Sequence, residues 1–187
     1  MTTRSRPAPP PPPPPPSSPR FPGLSGGCLL GLLLAVLLLV GGPAGPAHAD
    51  FLQRVDYTLT NQSGADFHGQ DLAETSFAGA VARRAVFAAA DLHGAILTAG
   101  DFAGADFRGA DLSEALIDRV DFRDADFRGA LLHGVIASGS SFAGADVTDA
   151  DFTDAILDRA DQVALCREAT GSHPVTGVET RLSLGCG

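Results

Sequence analysis

A five-residue repeat is the feature that most constrains the fold of this chain. From Ala65 to about Asp161 a large apolar residue returns at every fifth position, and only Ala82 and Ala137 interrupt the series. A small residue lies two positions before most of these centres, usually with Asp between them. Over five residues of an α-helix the side-chain direction turns by a net angle of about 140°, and over five residues of a strand the side chain moves to the opposite face. Neither element buries every fifth residue, so the chain must turn once per repeat and stack as a solenoid.

A second period, of twenty residues, indicates how many repeats form one coil. The same residue type recurs at this spacing, in one set of Phe67, Phe87, Phe107 and Phe127 and another of Leu72, Leu92, Leu112 and Leu132. Four repeats per coil predict a tube with four flat faces and about five coils. Each face should carry a ladder of like side chains at the spacing of paired strands, about 4.8 Å.

The repeat units resemble those of the pentapeptide repeat family, whose pattern is A(D/N)LXX. The units at residues 65–69 (ADFHG), 105–109 (ADFRG) and 110–114 (ADLSE) carry this resemblance. It implies an all-β solenoid, a right-handed quadrilateral β-helix in which the large residue and the small residue two before it point inward. The resemblance covers roughly half of the chain and is specific for the fold, not for the function.

Residues 1–49 predict a Pro-rich segment and a cleaved signal peptide. Eight prolines run from Pro9 to Pro16, and the apolar run Leu29–Val40 is too short to span a membrane. Ala47 and Ala49 then form a small-x-small cleavage pattern, so the mature chain should begin at Asp50. An uncleaved short anchor is the alternative.

The two ends of the solenoid need covers, because an open end exposes apolar side chains and unpaired strand edges. We predict an N-terminal cap at residues 50–64, the β-helix at 65–162 and a C-terminal cap at 163–187. Val163–Ala169 has the length of two helical turns, and Gly171 would end them. The cap is therefore predicted to be partly helical.

Two cysteines, Cys166 and Cys186, remain in the mature chain. An even count in an exported protein predicts a disulfide, with free buried thiols as the alternative. Paired C-terminal cysteines and the run at residues 56–59 also resemble pentapeptide repeat proteins exported to the periplasm or thylakoid lumen of cyanobacteria and plants. The resemblance implies that compartment for this chain.

The charge balance excludes some classes of partner. Three of the thirteen basic residues precede Asp50 and no acid does, so the mature chain would carry ten arginines against 22 acids, a net charge of −12. Such a chain should repel nucleic acid, and we expect no membrane contact after signal cleavage. The Asp residues before the apolar centres are interpreted as a solvated outer face.

One face departs from the Asp rule. Its outward positions carry aliphatic residues at twenty-residue spacing, namely Ile96, Leu116, Ile136 and Ile156. We call this column the stripe and predict that it is an interaction surface, since exposed apolar patches usually have a cover. Three interpretations remain open: the C-terminal tail covers it, a second copy or a partner covers it, or the ladder stays uncovered.

The sequence nominates no catalytic residue, cofactor site or metal site. It contains no phosphate-binding loop with Lys, no CxxC and no HExxH, and no residue stands out as a nucleophile. We therefore expect a non-enzymatic exported scaffold or binding module, whose protein partner is unknown and includes the chain itself as a candidate. The alternative comes from the family's gyrase-protecting branch, in which an acidic rod resembles DNA and occupies the DNA site of a topoisomerase. The export signal argues against it.

Overall fold

A computed structural model describes residues 55–187, and most of them form coils joined by parallel pairing. The isolated bridges of the coils join residues twenty apart, from Asn61–Val81 to Leu131–Asp151. Two short strands, β1 (Ile136–Ala137) and β2 (Ile156–Leu157), pair in parallel with the same offset. The twenty-residue period of the sequence is thus the period of the hydrogen-bonded ladder.

Each repeat ends in a tight turn that forms one corner of the coil. In the turn that begins at Phe67, the N–H of Gln70 donates to the Phe67 carbonyl oxygen at 3.1 Å. The third residue of each turn has a positive φ, from 54° at Glu74 to 74° at Gly144. A positive φ at that position alone is the mark of a type II turn, which glycine adopts without strain.

Ten of these corners have a side chain in the left-handed region, and replacing one by glycine should stabilise the protein. Ala99 has a φ of 58° and is exposed. Ala99→Gly should raise the free energy of unfolding by about 1 kcal/mol, because an L residue is strained at this φ and glycine is not. Urea denaturation followed by circular dichroism measures the change.

The matched control is Ala103→Gly, because Ala103 precedes its corner glycine and has no positive φ. There the added backbone freedom of the unfolded chain should lower stability by about 0.5–1 kcal/mol. Equal losses in the two variants would contradict the strain at Ala99.

Aromatic ladders fill the axis of the solenoid. Phe67 stacks on Phe87 with ring centroids 4.9 Å apart, and Phe107 stacks on both Phe87 and Phe127 at 5.0 Å. The alanines two positions before the later centres, Ala85, Ala105 and Ala125, are also almost fully buried. Large and small residues both point inward, so the five-residue apolar pattern is the pattern of the core.

The regular pairing begins earlier than the predicted boundary at Ala65. The N–H of Tyr57 donates to the Ser76 carbonyl oxygen at 2.8 Å, and its ring stacks on Phe77 at 4.7 Å. Gln62 occupies the next central position and is half-buried. The sequence pattern missed this coil because a tyrosine and a glutamine stand where Phe or Leu marks the later repeats. Most of the segment predicted as a cap is thus coil from Tyr57 onward.

The predicted signal peptide and its cleavage site at Ala47, Ala49 and Asp50 lie outside the described residues, as does the start of the predicted cap, 50–54.

The C-terminal segment contains two helices, α1 (Arg159–Glu168) and α2 (Thr180–Ser183). Helix α1 begins before the predicted Val163, because Asp158 leaves the ladder with an extended backbone and Asp161 favours the first turn. Leu165, Ala169 and Leu184 are buried in the same core as the last coil and close its end. Neither helix in residues 55–187 has the length and apolar character to cross a membrane.

A disulfide joins the two parts of this segment. Cys166 lies in α1 and Cys186 follows α2, with Cα atoms 5.7 Å apart and a separation of 20 residues. Both side chains pack against the core from its edge. The bridge holds the segment after α2 against α1 over the end of the solenoid.

Candidate interaction surface

The structure places the four stripe residues in one column. Parallel bridges join Ile96 to Leu116 and Leu116 to Ile136, and the β1–β2 pair joins Ile136 to Ile156. Ile96 and Ile136 are each 37% exposed, Ile156 is 57% exposed and Leu116 is half-buried. The column is therefore continuous over four coils and accessible to solvent.

The interpretation in which the C-terminal tail covers the stripe is wrong. The tail runs over different faces: His173 Nε2 lies 3.1 Å from the Gly129 carbonyl oxygen, and Thr176 Oγ1 donates to Asp151 Oδ2 at 2.8 Å. Burial of Leu165, Ala169 and Leu184 in the core fixes the course of the segment on either side of these tail contacts. Its polar contacts beyond α1 then lie away from the stripe.

Acidic residues border the stripe on both sides. Glu114 and Asp118 lie two residues before and after Leu116, and Asp154 and Asp158 lie likewise about Ile156. We call each stripe residue with its two flanking residues a rung. The rungs at Ile96 and Ile136 have small residues at the flanking positions, namely Gly94, Thr98, Gly134 and Ser138. Acidic and small rungs therefore alternate along the column. Two basic residues stand one position further out, Arg119 and Arg159.

The acids of this border keep most of their charge uncompensated. Asp154 Oδ2 lies 3.4 Å from His133 Nε2, and Asp158 Oδ2 accepts the N–H of Gly139 at 2.7 Å. No ion pair within residues 55–187 involves Glu114 or Asp118. Burial raises the pKa of Asp161 in α1, and the charge of Asp158 raises it further. The border is thus a region of negative potential around an apolar centre.

The outward Asp residues on the other faces have a structural role that the sequence interpretation missed. Each accepts the N–H of the residue two positions later through Oδ1, as Asp126 does from Arg128 at 3.1 Å. The same bond occurs at Asp66, Asp71, Asp91, Asp101, Asp106, Asp111, Asp121, Asp146 and Asp151. Asx turns of this kind are an established property of Asp before a turn, and that signal was present in the sequence.

Some of these carboxylates also pair with arginines. The side-chain hydrogen bond from Arg108 is the largest cause that lowers the pKa of Asp106, and Arg123 does the same for Asp121. Arg128 Nη2 lies 2.6 Å from Asp126 Oδ2. These arginines are about half exposed, so each pair contributes little to stability.

The aliphatic residues of the stripe lack these acceptors. Among the side chains that the structure describes, none accepts the backbone N–H of Thr98, Asp118 or Ser138, which follow Ile96, Leu116 and Ile136 by two positions. The aliphatic residues therefore leave their corner N–H groups to solvent.

One buried polar cluster superficially resembles a catalytic arrangement. His173 is 3% exposed, and its Nδ1 accepts the N–H groups of Val175 and Thr176 at 3.3 and 3.1 Å while Nε2 faces Gly129. Burial raises the pKa of Asp151 beside it, but hydrogen bonds from threonines outweigh burial and leave that pKa lowered. Both ring nitrogens are thus engaged by backbone, and the cluster anchors the tail. Within residues 55–187 no three His, Cys, Asp or Glu side chains are grouped to hold a metal ion.

Comparison with known proteins identifies the repeat. The family model described as pentapeptide repeats matches eight copies, over residues 63–98, 101–134 and 134–161. Comparison with curated proteins gives no significant match. A solved pentapeptide repeat protein from the thylakoid lumen of Arabidopsis thaliana is 37% identical, with a TM-score of 0.53, and the alignment covers 70% of this chain and 90% of that one.

Two other solved structures are more distant. Rfr23, a pentapeptide repeat protein from the cyanobacterium Cyanothece 51142, is 24% identical over 56% of this chain and 65% of that one, with a TM-score of 0.31. QnrB1, a plasmid-mediated fluoroquinolone resistance protein, is 16% identical over 57% of this chain and 74% of that one, with a TM-score of 0.28. At these scores neither supports a statement about function.

The family model covers just over half of the sequence, and the Arabidopsis protein aligns over most of its length. Proteins of this type fold as right-handed quadrilateral β-helices and generally serve as non-enzymatic scaffolds or binding folds. The pairing at twenty-residue spacing and the inward Phe and Ala ladders have the same pattern. The chain belongs to the pentapeptide repeat family.

Proposed function

We propose that this protein is an exported, non-enzymatic module that binds a partner protein through the stripe. One observation carries the proposal: four aliphatic residues, three of them exposed and Leu116 half-buried, form a continuous column where the other faces carry mostly Asp. A soluble protein rarely exposes an apolar column of this kind without a binding role. The C-terminal tail, the cover nearest in sequence, lies elsewhere.

The proposed location is the thylakoid lumen or the periplasm. The predicted signal peptide, the paired Cys166 and Cys186 and the similarity to a lumenal protein of Arabidopsis thaliana support it. A disulfide persists in such compartments and is rare in the cytosol. We propose that the mature chain carries this bridge together with a C-terminal cap of residues 159–187 and about five coils.

The alternative, a DNA-mimicking protein that binds a topoisomerase, has one supporting feature, the net charge. Export would separate the protein from cytosolic DNA enzymes. The exposed aliphatic column also has no counterpart on the uniformly charged surface of a DNA duplex.

Site-specific photocrosslinking in the native host tests the proposal. A photoreactive amino acid replaces Ile136 in one strain and Leu131, an outward residue on another face, in the control strain. We expect a protein adduct from position 136 and none from position 131, recovered with the lumenal or periplasmic fraction. Equal adducts from both positions, no adduct from position 136, or recovery in the cytosol would contradict it.

A further inference from the structure

We propose that the occupant of the stripe is a basic amphipathic α-helix of the partner protein, lying along the axis of the coils. The inference rests on the proposed function and adds the chemistry of the partner. Its support is the charge around the stripe and the spacing of the stripe's rungs.

The acidic border disfavours a second copy of this chain. If two copies paired face to face with parallel axes, Glu114 of one would face Asp118 of the other across the stripe. With antiparallel axes and all four rungs in contact, Leu116 would face Ile136, so each acidic column would face its own copy one rung out of step, about 5 Å along the axis. Both two-fold arrangements therefore bring like charges together around the apolar contact, directly with parallel axes and one rung apart with antiparallel axes, which disfavours a second copy. Arg119 and Arg159 lie outside this border and do not separate the acids.

The same border favours a partner that carries positive charge on both sides of an apolar ridge. Glu114, Asp118, Asp154 and Asp158 lie beside two of the four rungs. Lys or Arg side chains reaching past the ridge would meet these carboxylates at the edge of the contact. Such complementarity sets partner choice and association rate more than affinity.

The rung spacing fits a helix better than a strand. The stacked rings of successive coils in the Phe67 column lie 4.9 to 5.0 Å apart, close to the usual spacing of paired strands, about 4.8 Å. The apolar ridge of a helix repeats on average every 3.5 residues, about 5.25 Å, so the mismatch over four rungs is about 1 Å. Alternate side chains of a strand repeat at about 6.8 Å, and their mismatch over the same rungs exceeds about 5 Å.

The spacing of the acidic rungs gives the same answer. Acids border every second rung, at Leu116 and Ile156, and a coil spacing of about 5 Å puts these rungs about 10 Å apart. One heptad of a helix advances about 10.5 Å. A helix with apolar a and d positions and Lys or Arg at e and g therefore matches the aliphatic rungs and the acidic rungs in one register. Two heptads, about 21 Å, span the stripe.

The test uses the purified mature protein and two synthetic 18-residue helices, each held helical and monomeric by a hydrocarbon staple. Both have Leu or Ile at a and d; one has Lys at e and g, and the other has Glu. Fluorescence anisotropy should show the Lys helix binding at least tenfold more tightly than the Glu helix in 50 mM salt, with a smaller ratio in 300 mM salt, where surface charges are screened.

Two variants locate the binding. Ile136→Asp should weaken the Lys helix tenfold or more, and Leu131→Asp, the matched change on another face, should not. Both place Asp at the outward position of a repeat, which Asp occupies in most other repeats, so the fold should be retained, which circular dichroism checks. The double variant Glu114→Arg and Asp118→Arg should shift the preference toward the Glu helix.

The proposal is overturned if the two helices bind equally, if Leu131→Asp weakens binding as much as Ile136→Asp, or if neither helix binds. It is also overturned if sedimentation velocity shows a wild-type dimer that Ile136→Asp dissociates. If the helix-binding test fails but position 136 still gives a crosslinked adduct, the proposal of a basic helical partner is wrong and the proposed function stands. Failure of the crosslinking experiment removes the proposed function itself.

Discussion

Replacing Phe107 by Ala should lower the free energy of unfolding by about 3–5 kcal/mol. Phe107 is fully buried, and its ring stacks between Phe87 and Phe127 at 5.0 Å on either side. Removing it leaves a cavity in the middle of a continuous ladder, and the backbone hydrogen bonds to the neighbouring coils prevent the gap from closing. Urea denaturation followed by circular dichroism gives the change.

Val86→Ala is the control, because Val86 points outward on the same face and is half-buried. Its loss should stay below about 1 kcal/mol, the cost of a partly exposed aliphatic side chain. If the two variants lost similar amounts, the Phe ladder would not be the main stabilising element of the core.

Removing the disulfide should cost about 3 kcal/mol, the second largest effect expected. Cys166 and Cys186 close a loop with a sequence separation of 20. In the chain-entropy account, the bridge reduces the freedom of the unfolded chain by about this amount. The double variant Cys166→Ala and Cys186→Ala should lose it, as measured by urea denaturation without reductant.

Reductant provides the internal control. Dithiothreitol should lower the stability of the wild type by a similar amount and leave the double variant unchanged. An oxidised wild type whose unfolding midpoint is insensitive to dithiothreitol would show that the bridge contributes nothing to stability.

The fold was predictable because the same interaction recurs in every repeat. A large inward residue at every fifth position excludes a regular helix or strand and requires a chain that turns once per repeat. The recurrence of Phe at positions 67 and 87 gives the number of repeats per coil. The first coil and the start of the C-terminal segment were less predictable. Gln62 occupies a central position of its repeat although it is not apolar. The start of α1 depends on tertiary contacts, because the helix begins where the chain stops pairing with the preceding coil, at Asp158.

The stripe was predictable as a column but not as a surface. Its periodicity places Ile96 and Ile136 on one face, whereas the course of the tail depends on contacts that no local pattern encodes. Burial of Leu165 at the end of the coils and the polar contacts of His173 direct the tail to other faces. The role of Asp as a corner acceptor was readable in the sequence, but a high count of acids suggested a solvated surface instead.

The missing corner acceptors on the stripe face have an evolutionary consequence. A hydrogen bond of this kind contributes about 0.5–1.5 kcal/mol, and the aliphatic residues forgo it at the turns that follow Ile96, Leu116 and Ile136. Selection for stability alone would therefore drive these positions toward Asp, the residue that most other outward positions already carry. Retention of the aliphatic column across descendants would measure the selective value of the contact it makes, and lineages that lost the partner should drift toward a uniformly acidic rod.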